Sequence, residues 1–214
     1  MNLYFRTALL PAVALLVSTF YTPIVSAAPA VTEVWKIRGH DVNASWSTNT
    51  ECVYESVYIS ASEFASRTRV NKANSTVEST TAWLSYSKSN ICDGTWSYGW
   101  GTSDNAQLAI SQNKNATLKT TIIVNEQDSI GNPVAHSVEV NLNFVAGTTS
   151  YSGHSISRYE SPLGRSVYRS KGTYRDAVST GTIKVDGVLD LISGKSEFGN
   201  ISSNNSGSVS RVNY

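Results

Sequence analysis

Residues 134–145, VAHSVEVNLNFV, decide the fold class of this chain. Every second position belongs to a largely apolar set: Val134, His136, Val138, Val140, Leu142 and Phe144. A β-strand places alternate side chains on opposite faces, whereas a helix would scatter this set around its circumference. The stretch therefore predicts a strand with one face in a core and the other in water.

The same alternation recurs along the chain and marks further strands. Clear strands are predicted at 52–61, 77–87, 115–124 and 181–191. Weaker candidates are 31–38, 42–47, 94–101, 106–110, 148–157, 164–171, 196–202 and 207–212. No long segment of helical period lies between them, and Asp-Gly pairs mark tight turns. We therefore predict an all-β fold, an antiparallel two-sheet β-sandwich, with a closed antiparallel β-barrel as the alternative.

The first 27 residues have the three parts of a signal peptide. Arg6 gives a positive start, an apolar run follows at 8–17, and Val25-Ser26-Ala27 suits signal peptidase. The run is shorter than the about 20 apolar residues of a membrane-spanning helix. We expect cleavage, no transmembrane segment in the mature chain, and a secreted protein, extracellular or periplasmic in a Gram-negative source. Residues 28–214 then form one domain, in which 194–214 are poor in apolar residues and are expected as a peripheral hairpin or frayed tail.

Charge and composition exclude two classes of protein. The 17 Lys and Arg nearly balance the 16 Asp and Glu, so a nucleic-acid partner held by bulk charge is not expected. The 5 Trp, 11 Tyr and 5 Phe exclude a disordered chain.

Two cysteines, Cys52 and Cys92, allow a single pairing. Without a CxxC spacing or a neighbouring histidine they make a poor metal set, and export favours oxidation. We predict a structural disulfide, which would stabilise the fold by about 4 kcal/mol in the chain-entropy model.

The chain lacks recognisable catalytic machinery. His136 lies on the apolar face of its strand, which favours a buried, hydrogen-bonded histidine. The segment Gly153-His154-Ser155-Ile156-Ser157 begins like a nucleophile elbow but lacks its second glycine. Asp186 and Asp190 would lie about 13 Å apart on an extended strand, too far for a glycosidase pair. We predict no catalytic residues, metal or cofactor, although a pair from separate strands would still allow an enzyme.

One candidate binding region is the aromatic row Trp96, Tyr98 and Trp100, in which alternate positions are glycine or serine. On a strand the three rings share one face, with Gly99 and Gly101 on the other. The favoured interpretation buries the rings in the core and lets another backbone approach the glycines. The second interpretation exposes the rings as a platform for sugar rings.

A second candidate is the segment 151–175, which contains five cationic residues and a single acidic residue, Glu160. Within it, Arg165, Arg169 and Lys171 share one face of a predicted strand, and Tyr159 and Tyr168 are interleaved. Arginine forks recognise anionic groups, and tyrosine adds flat contact area. The segment is therefore a candidate site for an acidic glycan or another anionic surface ligand. The alternative is a solvated strand whose charges protect a sheet edge.

Three stretches, ECVYESVYISASEF at 51–64, NICDGTWSYGWG at 90–101 and NKNATLKTTIIV at 113–124, carry a resemblance. The layout resembles secreted bacterial all-β proteins of unassigned function. The resemblance implies a sandwich-like secreted domain and no reaction. The expected function is a non-catalytic module that binds carbohydrate or another cell-surface or matrix ligand. A secreted polysaccharide- or lipid-acting hydrolase and a self-assembling structural or pore-type protein are the alternatives.

Overall fold

The computed structural model describes residues 31–131 and 133–212; the predicted signal peptide lies outside this range. Strands occupy most of the described residues. They are β1 (Val31–Asn49), β2 (Val53–Val70), β3 (Ala73–Asn90), β4 (Trp96–Ser103), β5 (Gln107–Ser111), β6 (Asn115–Asp128), β7 (Val134–Ser161), β8 (Gly164–Val185), β9 (Leu189–Asp190) and β10 (Phe198–Val212). Within that part of the chain, no helix is long and apolar enough to cross a membrane.

All ten strands belong to one antiparallel sheet. Its order is β10-β1-β2-β3-β4-β6-β7-β8-β9, with β5 paired to β6, and β8 also pairs with β10. The hydrogen bonds therefore run around a ring from β10 through β8 and back to β10. The predicted all-β antiparallel fold is confirmed, and the ring leaves the principal strands with a neighbour on each side.

The core lies inside the ring and is built by the alternation seen in the sequence. In β7, Val138, Leu142 and Phe144 are buried, while Glu139 and Asn141 face water. Val42 of β1 and Ile59 of β2 are also fully buried and contribute to the same core. Each such side chain stabilises the fold by about 1.5–3 kcal/mol relative to exposure.

The strand predicted at 181–191 is interrupted, and this part of the prediction is wrong. Strand β8 ends at Val185, and the turn that follows places Asp186 at φ 51° and Gly187 at φ 72°. Strand β9 then folds back so that Leu189 pairs with Val185. An Asp-Gly pair accepts the positive φ values of a tight hairpin turn, and here it outweighs the alternating pattern.

The C-terminal segment also differs from the expected hairpin or frayed tail. Residues 198–212 form the single strand β10, which pairs with β1 on one side and with β8 on the other. Ile201 is fully buried, and Ser203 is nearly so. The low apolar content misled the prediction because a central strand can be held by its two hydrogen-bonded neighbours.

Six strands continue beyond the closed core and form an extension that we call the flange. Its segments are 31–40 of β1, 63–70 of β2, 73–80 of β3, 150–161 of β7, 164–173 of β8 and 203–212 of β10. Asn113, in the turn before β6, marks its base. The Asn113 amide donates hydrogen bonds to Thr173 Oγ1 at 2.9 Å and Ser203 Oγ at 3.0 Å. This polar layer separates the apolar core from the flange.

The predicted disulfide between Cys52 and Cys92 is confirmed. Cys52 immediately precedes β2 and Cys92 follows β3, with their Cα atoms 5.3 Å apart. The bond therefore fastens the open end of the β2–β3 hairpin. Beside it, the Ile91 amide donates a hydrogen bond to the Cys52 carbonyl oxygen at 2.8 Å.

Candidate functional site: an exposed aromatic surface

The aromatic row of β4 lies on the outer face of the sheet. Trp96, Tyr98 and Trp100 are 47%, 41% and 48% exposed, whereas Gly99 and Gly101 are buried. The favoured core interpretation of the three rings is therefore wrong, and the rings face solvent. The expected close approach to the glycines is confirmed.

The inward space beneath the row is already filled. A Cβ atom at Gly99 would lie 2.8 Å from Val124 Cγ1 and would meet the ring of Tyr86. At Gly101 a Cβ would overlap the Ile123 carbonyl oxygen and lie 2.9 Å from Ile122 Cγ2. Because the core admits no side chain at these positions, the parity of β4 is fixed with its rings outward.

Strand β3 supplies a track of serines beside this row. Ser89 pairs with Trp96, Ser87 with Tyr98 and Ser85 with Trp100. Cross-strand partners share a face of the sheet, so these hydroxyls lie beside the rings.

Strand β2 supplies aromatic residues on the far side of the serine track. Tyr54 pairs with Ser89, and Tyr58 pairs with Ser85. Between them, Ser56 Oγ lies 2.8 Å from Ser87 Oγ. We call the combined area the aromatic–serine surface; it consists of Tyr54, Tyr58, Trp83, Ser85, Ser87, Ser89, Trp96, Tyr98 and Trp100.

The dimensions of this surface suit an extended ligand. Side chains two residues apart on one strand face are about 6.7 Å apart, so the β4 row spans about 13 Å. Between β2 and β3, the rings of Tyr58 and Trp83 have centroids 5.4 Å apart at an interplanar angle of 57°. On the opposite side of β4, Asn125 pairs with Trp100 and Gln127 with Tyr98.

The surface combines aromatic rings with uncharged polar groups. Flat rings provide contact area, while hydroxyl and amide groups both donate and accept hydrogen bonds. None of the nine residues that define the surface is charged. Such a surface suits a ligand with flat apolar faces and many hydroxyl groups.

The predicted site did not include residues of β2 or β3. A usable signal was present in 54–60, where Tyr and Ser alternate, and in 83–89, where Trp and three serines occupy every second position. Joining these stretches to 96–100 requires the strand register, which the sequence does not reveal.

The predicted arginine–tyrosine site is divided by the sheet. Arg165, Arg169 and Lys171 share the inner face of the flange, continuous with the core-facing side of β8. Tyr159 and Tyr168 lie on the outer face, where Tyr159 is 66% exposed. The structure therefore does not bring the five residues together as a single ligand site.

A hydrogen-bonded chain of polar side chains surrounds His136. Its Nδ1 lies 2.7 Å from Asp186 Oδ2, and its Nε2 lies 3.5 Å from Glu126 Oε2. The Tyr86 hydroxyl donates a hydrogen bond to the Glu126 carboxylate. Burial and the Glu126 carboxylate raise the pKa of Tyr86, which keeps the phenol protonated. The expected hydrogen bond of His136 is confirmed, but its side chain is 24% exposed and therefore only partly buried.

We predict that Asp186→Asn reduces stability near neutral pH and has no effect at low pH. Hydrogen bonds from His136 and the Ser137 amide lower the pKa of Asp186. A carboxylate whose folded pKa is lowered adds stability above its unfolded pKa of about 3.9 and loses it as pH falls through the folded pKa. The urea midpoints of wild type and variant should therefore differ at about pH 7 and coincide at about pH 2.5. Asp104→Asn, at an exposed loop position, is the control; an equal Asp186→Asn effect at both pH values would contradict the prediction.

Over the described ranges, no group of three or more His, Cys, Asp or Glu side chains is placed to hold a metal ion.

Comparisons with known proteins identify no sequence family. No family model matches the chain, and no curated protein matches it. One solved structure, described as a "putative AttH" from Nitrosomonas europaea, aligns with 11% identity and a TM-score of 0.27. The alignment covers 86% of this chain and 52% of the other, so this chain spans about half the length of that protein. The similarity is a distant structural one.

Proposed function

We propose that this protein is a secreted, non-catalytic module that binds carbohydrate on its aromatic–serine surface. The observation that carries the proposal is the outward orientation of Trp96, Tyr98 and Trp100. Exposed rings of this size are costly unless a partner covers them, and a contiguous exposed apolar area marks an interaction site.

The neighbouring groups favour a sugar over a protein partner. The C–H faces of a pyranose ring can stack on indole and phenol rings, while its hydroxyls require hydrogen-bonding groups at the side. Ser85 and Ser87 border the row on β3, and Asn125 and Gln127 border it on β6. The row is straight because it follows one strand, which suits successive units of a chain.

The test measures binding to neutral polysaccharides by affinity electrophoresis, followed by titration with soluble oligosaccharides. We expect the double variant Trp96→Ala, Trp100→Ala to weaken binding by at least about 30-fold, the effect of losing hot-spot residues. Both side chains are exposed, so the thermal unfolding midpoint should change little.

The matched control removes two exposed rings from elsewhere on the outer face. The double variant Tyr151→Ala, Tyr159→Ala deletes side chains that are each 66% exposed in the flange. It should bind neutral polysaccharides like wild type. An equal loss in both double variants, or no binding by wild type to any neutral polysaccharide, would refute the proposal.

A further inference from the structure

The inner face of the flange continues the core-facing side of the sheet but carries cations. In β1 the even-numbered residues face inward, as the buried Val42 and Ala44 show. The same parity places Lys36 and Arg38 on the inner face of the flange. In β2 the odd-numbered residues face inward, and they include Arg67 and Arg69.

Strands β10, β8 and β7 contribute five more cations to this face. Their positions follow from the strand register, because they lie on the same side of the sheet as the inward-facing Ile201 and Val209 of β10. They are Arg165, Arg169 and Lys171 of β8, Arg158 of β7 and Arg211 of β10. The inner face therefore carries nine of the 17 Lys and Arg of the chain against three carboxylates, those of Glu63, Glu78 and Glu160.

The outer face of the same flange has the opposite character. Its side chains include Trp35, Phe64, Tyr159 and Tyr168 among many serines. The six flange segments contain nine Lys and Arg, and the strand register places all nine on the inner face and none on the outer face. The near-neutral net charge of the chain thus conceals a sheet with one cationic side.

The cations of the inner face have few partners within the chain. Of the nine cations on the described inner face, only Arg165 has an ion-pair partner, Glu160 Oε1 at 3.1 Å. Arg67 pairs directly across the strands with Lys36, and Arg211 with Arg165. Like charges in directly opposed positions destabilise a sheet. A bound anion would reduce this repulsion.

The cations surround a hollow of about 860 Å³. Lys36 and Arg169 face each other across Gly207, which has no side chain to separate them. Arg38 and Lys171 occupy the next positions toward the core, on either side of Asn205. The hollow is therefore bordered by four cations from β1 and β8.

We propose that the inner face of the flange binds an acidic polysaccharide, a chain carrying sulfate or carboxylate groups along its length. The cations lie on five neighbouring strands, in the order β2, β1, β10, β8 and β7. At a spacing of about 4.8 Å per strand they spread over about 19 Å, a width that a chain can cover and a small anion cannot. Guanidinium and ammonium groups provide the complementary charge.

A nucleic acid is disfavoured by the same face. Proteins that bind single strands combine cations with aromatic rings on which the bases stack. Val34, Val167 and Val209 occupy inward positions at the centre of this face, and by strand register no Phe, Tyr or Trp occupies an inward position in the described flange segments. Trp35 borders the hollow, but its position in β1 is an outward one. The aromatic residues of the flange lie on the other side of the sheet.

The experiment compares dextran sulfate with uncharged dextran, which has the same backbone, by fluorescence titration at several salt concentrations. Wild type should bind dextran sulfate with an affinity that falls with salt, and should not bind dextran at this face. The variant Lys36→Gln, Arg67→Gln, Arg169→Gln, Lys171→Gln should bind about 1,000-fold more weakly, given the usual contribution of each cation near an anionic surface. Its thermal midpoint should equal or exceed that of wild type, because repulsion is relieved.

The matched control removes the same charge from other places. The variant Lys88→Gln, Lys119→Gln, Lys184→Gln, Lys195→Gln also loses four positive charges but leaves the inner face intact. It should keep dextran sulfate binding within about threefold of wild type, as surface charges beyond the screening length contribute little. Equal loss in both quadruple variants would overturn the proposal, as would tighter binding to DNA or to anionic vesicles than to dextran sulfate.

The two proposed sites are on opposite faces of the sheet, so each proposal can be refuted without affecting the other. The double variant Trp96→Ala, Trp100→Ala should bind dextran sulfate like wild type, since its residues lie on the outer face. A loss of dextran sulfate binding in this variant would place the acidic ligand on the aromatic–serine surface and contradict the assignment to the flange.

Discussion

Reduction of the Cys52–Cys92 bond is expected to lower the free energy of unfolding by about 4 kcal/mol. The two cysteines are 40 residues apart, so the bond restricts a long loop in the unfolded chain. In the folded protein it holds the end of the β2–β3 hairpin, beside Tyr54 of the aromatic–serine surface. Urea denaturation with and without reductant measures the change.

A cysteine-free protein serves as the control for this experiment. The double variant Cys52→Ser, Cys92→Ser should unfold at the midpoint of reduced wild type and should not respond to reductant. A reductant-induced change below about 1 kcal/mol in wild type, at the low end of measured disulfide contributions, would count against a stabilising role.

Gly101→Ala is expected to destabilise the protein by about 2–3 kcal/mol, the usual cost of overpacking. The added Cβ would collide with the Ile123 carbonyl oxygen, a backbone atom that cannot rotate away. Strand β4 pairs with β6 at only four positions, Ser97 to Trp100. A displacement of β4 at Gly101 would therefore disturb a large part of this pairing. Thermal and urea unfolding should both show the loss.

Gly153→Ala is the matched control for Gly101→Ala. Gly153 also lies within a strand, but a Cβ there would meet no atom within 4 Å. The Gly153→Ala protein should be as stable as wild type or slightly more stable, because alanine restricts the unfolded chain. Similar stability changes in the two variants would contradict the prediction, because they would mean that the structure around residue 101 accommodates the added Cβ without loss of stability.

Much of the fold follows from alternation, which identified most strands, including the part of β7 that contains Val138 and Leu142. Alternation also showed that Trp96 and Trp100 share a face, but it could not show which face. The choice depends on Tyr86 and Val124, which fill the inward space at Gly99 from two other strands. A local pattern contains no information about that occupancy.

The cationic face was predictable only in part. The sequence showed that Arg169 and Lys171 share a side, because they are two residues apart in one strand. It could not place Lys36 and Arg67 beside them, since those residues come from strands more than 100 positions away in the chain. Their proximity depends on β10, which separates β1 from β8 and which the sequence analysis assigned to a peripheral position.

The position of β10 also determines how the molecule can fold. Val31, at the start of β1, pairs with Val212, at the end of β10, so the first and last described strands are neighbours. A chain that emerges from its N-terminus can form the hairpins from β1 to β8 early, but the ring cannot close before β10 is available. Contacts at such large sequence separation carry a high loop-closure cost and slow folding. Closure of the sheet is therefore expected as a late and slow event, during which the edges of β1 and β8 stay open to pairing with other chains.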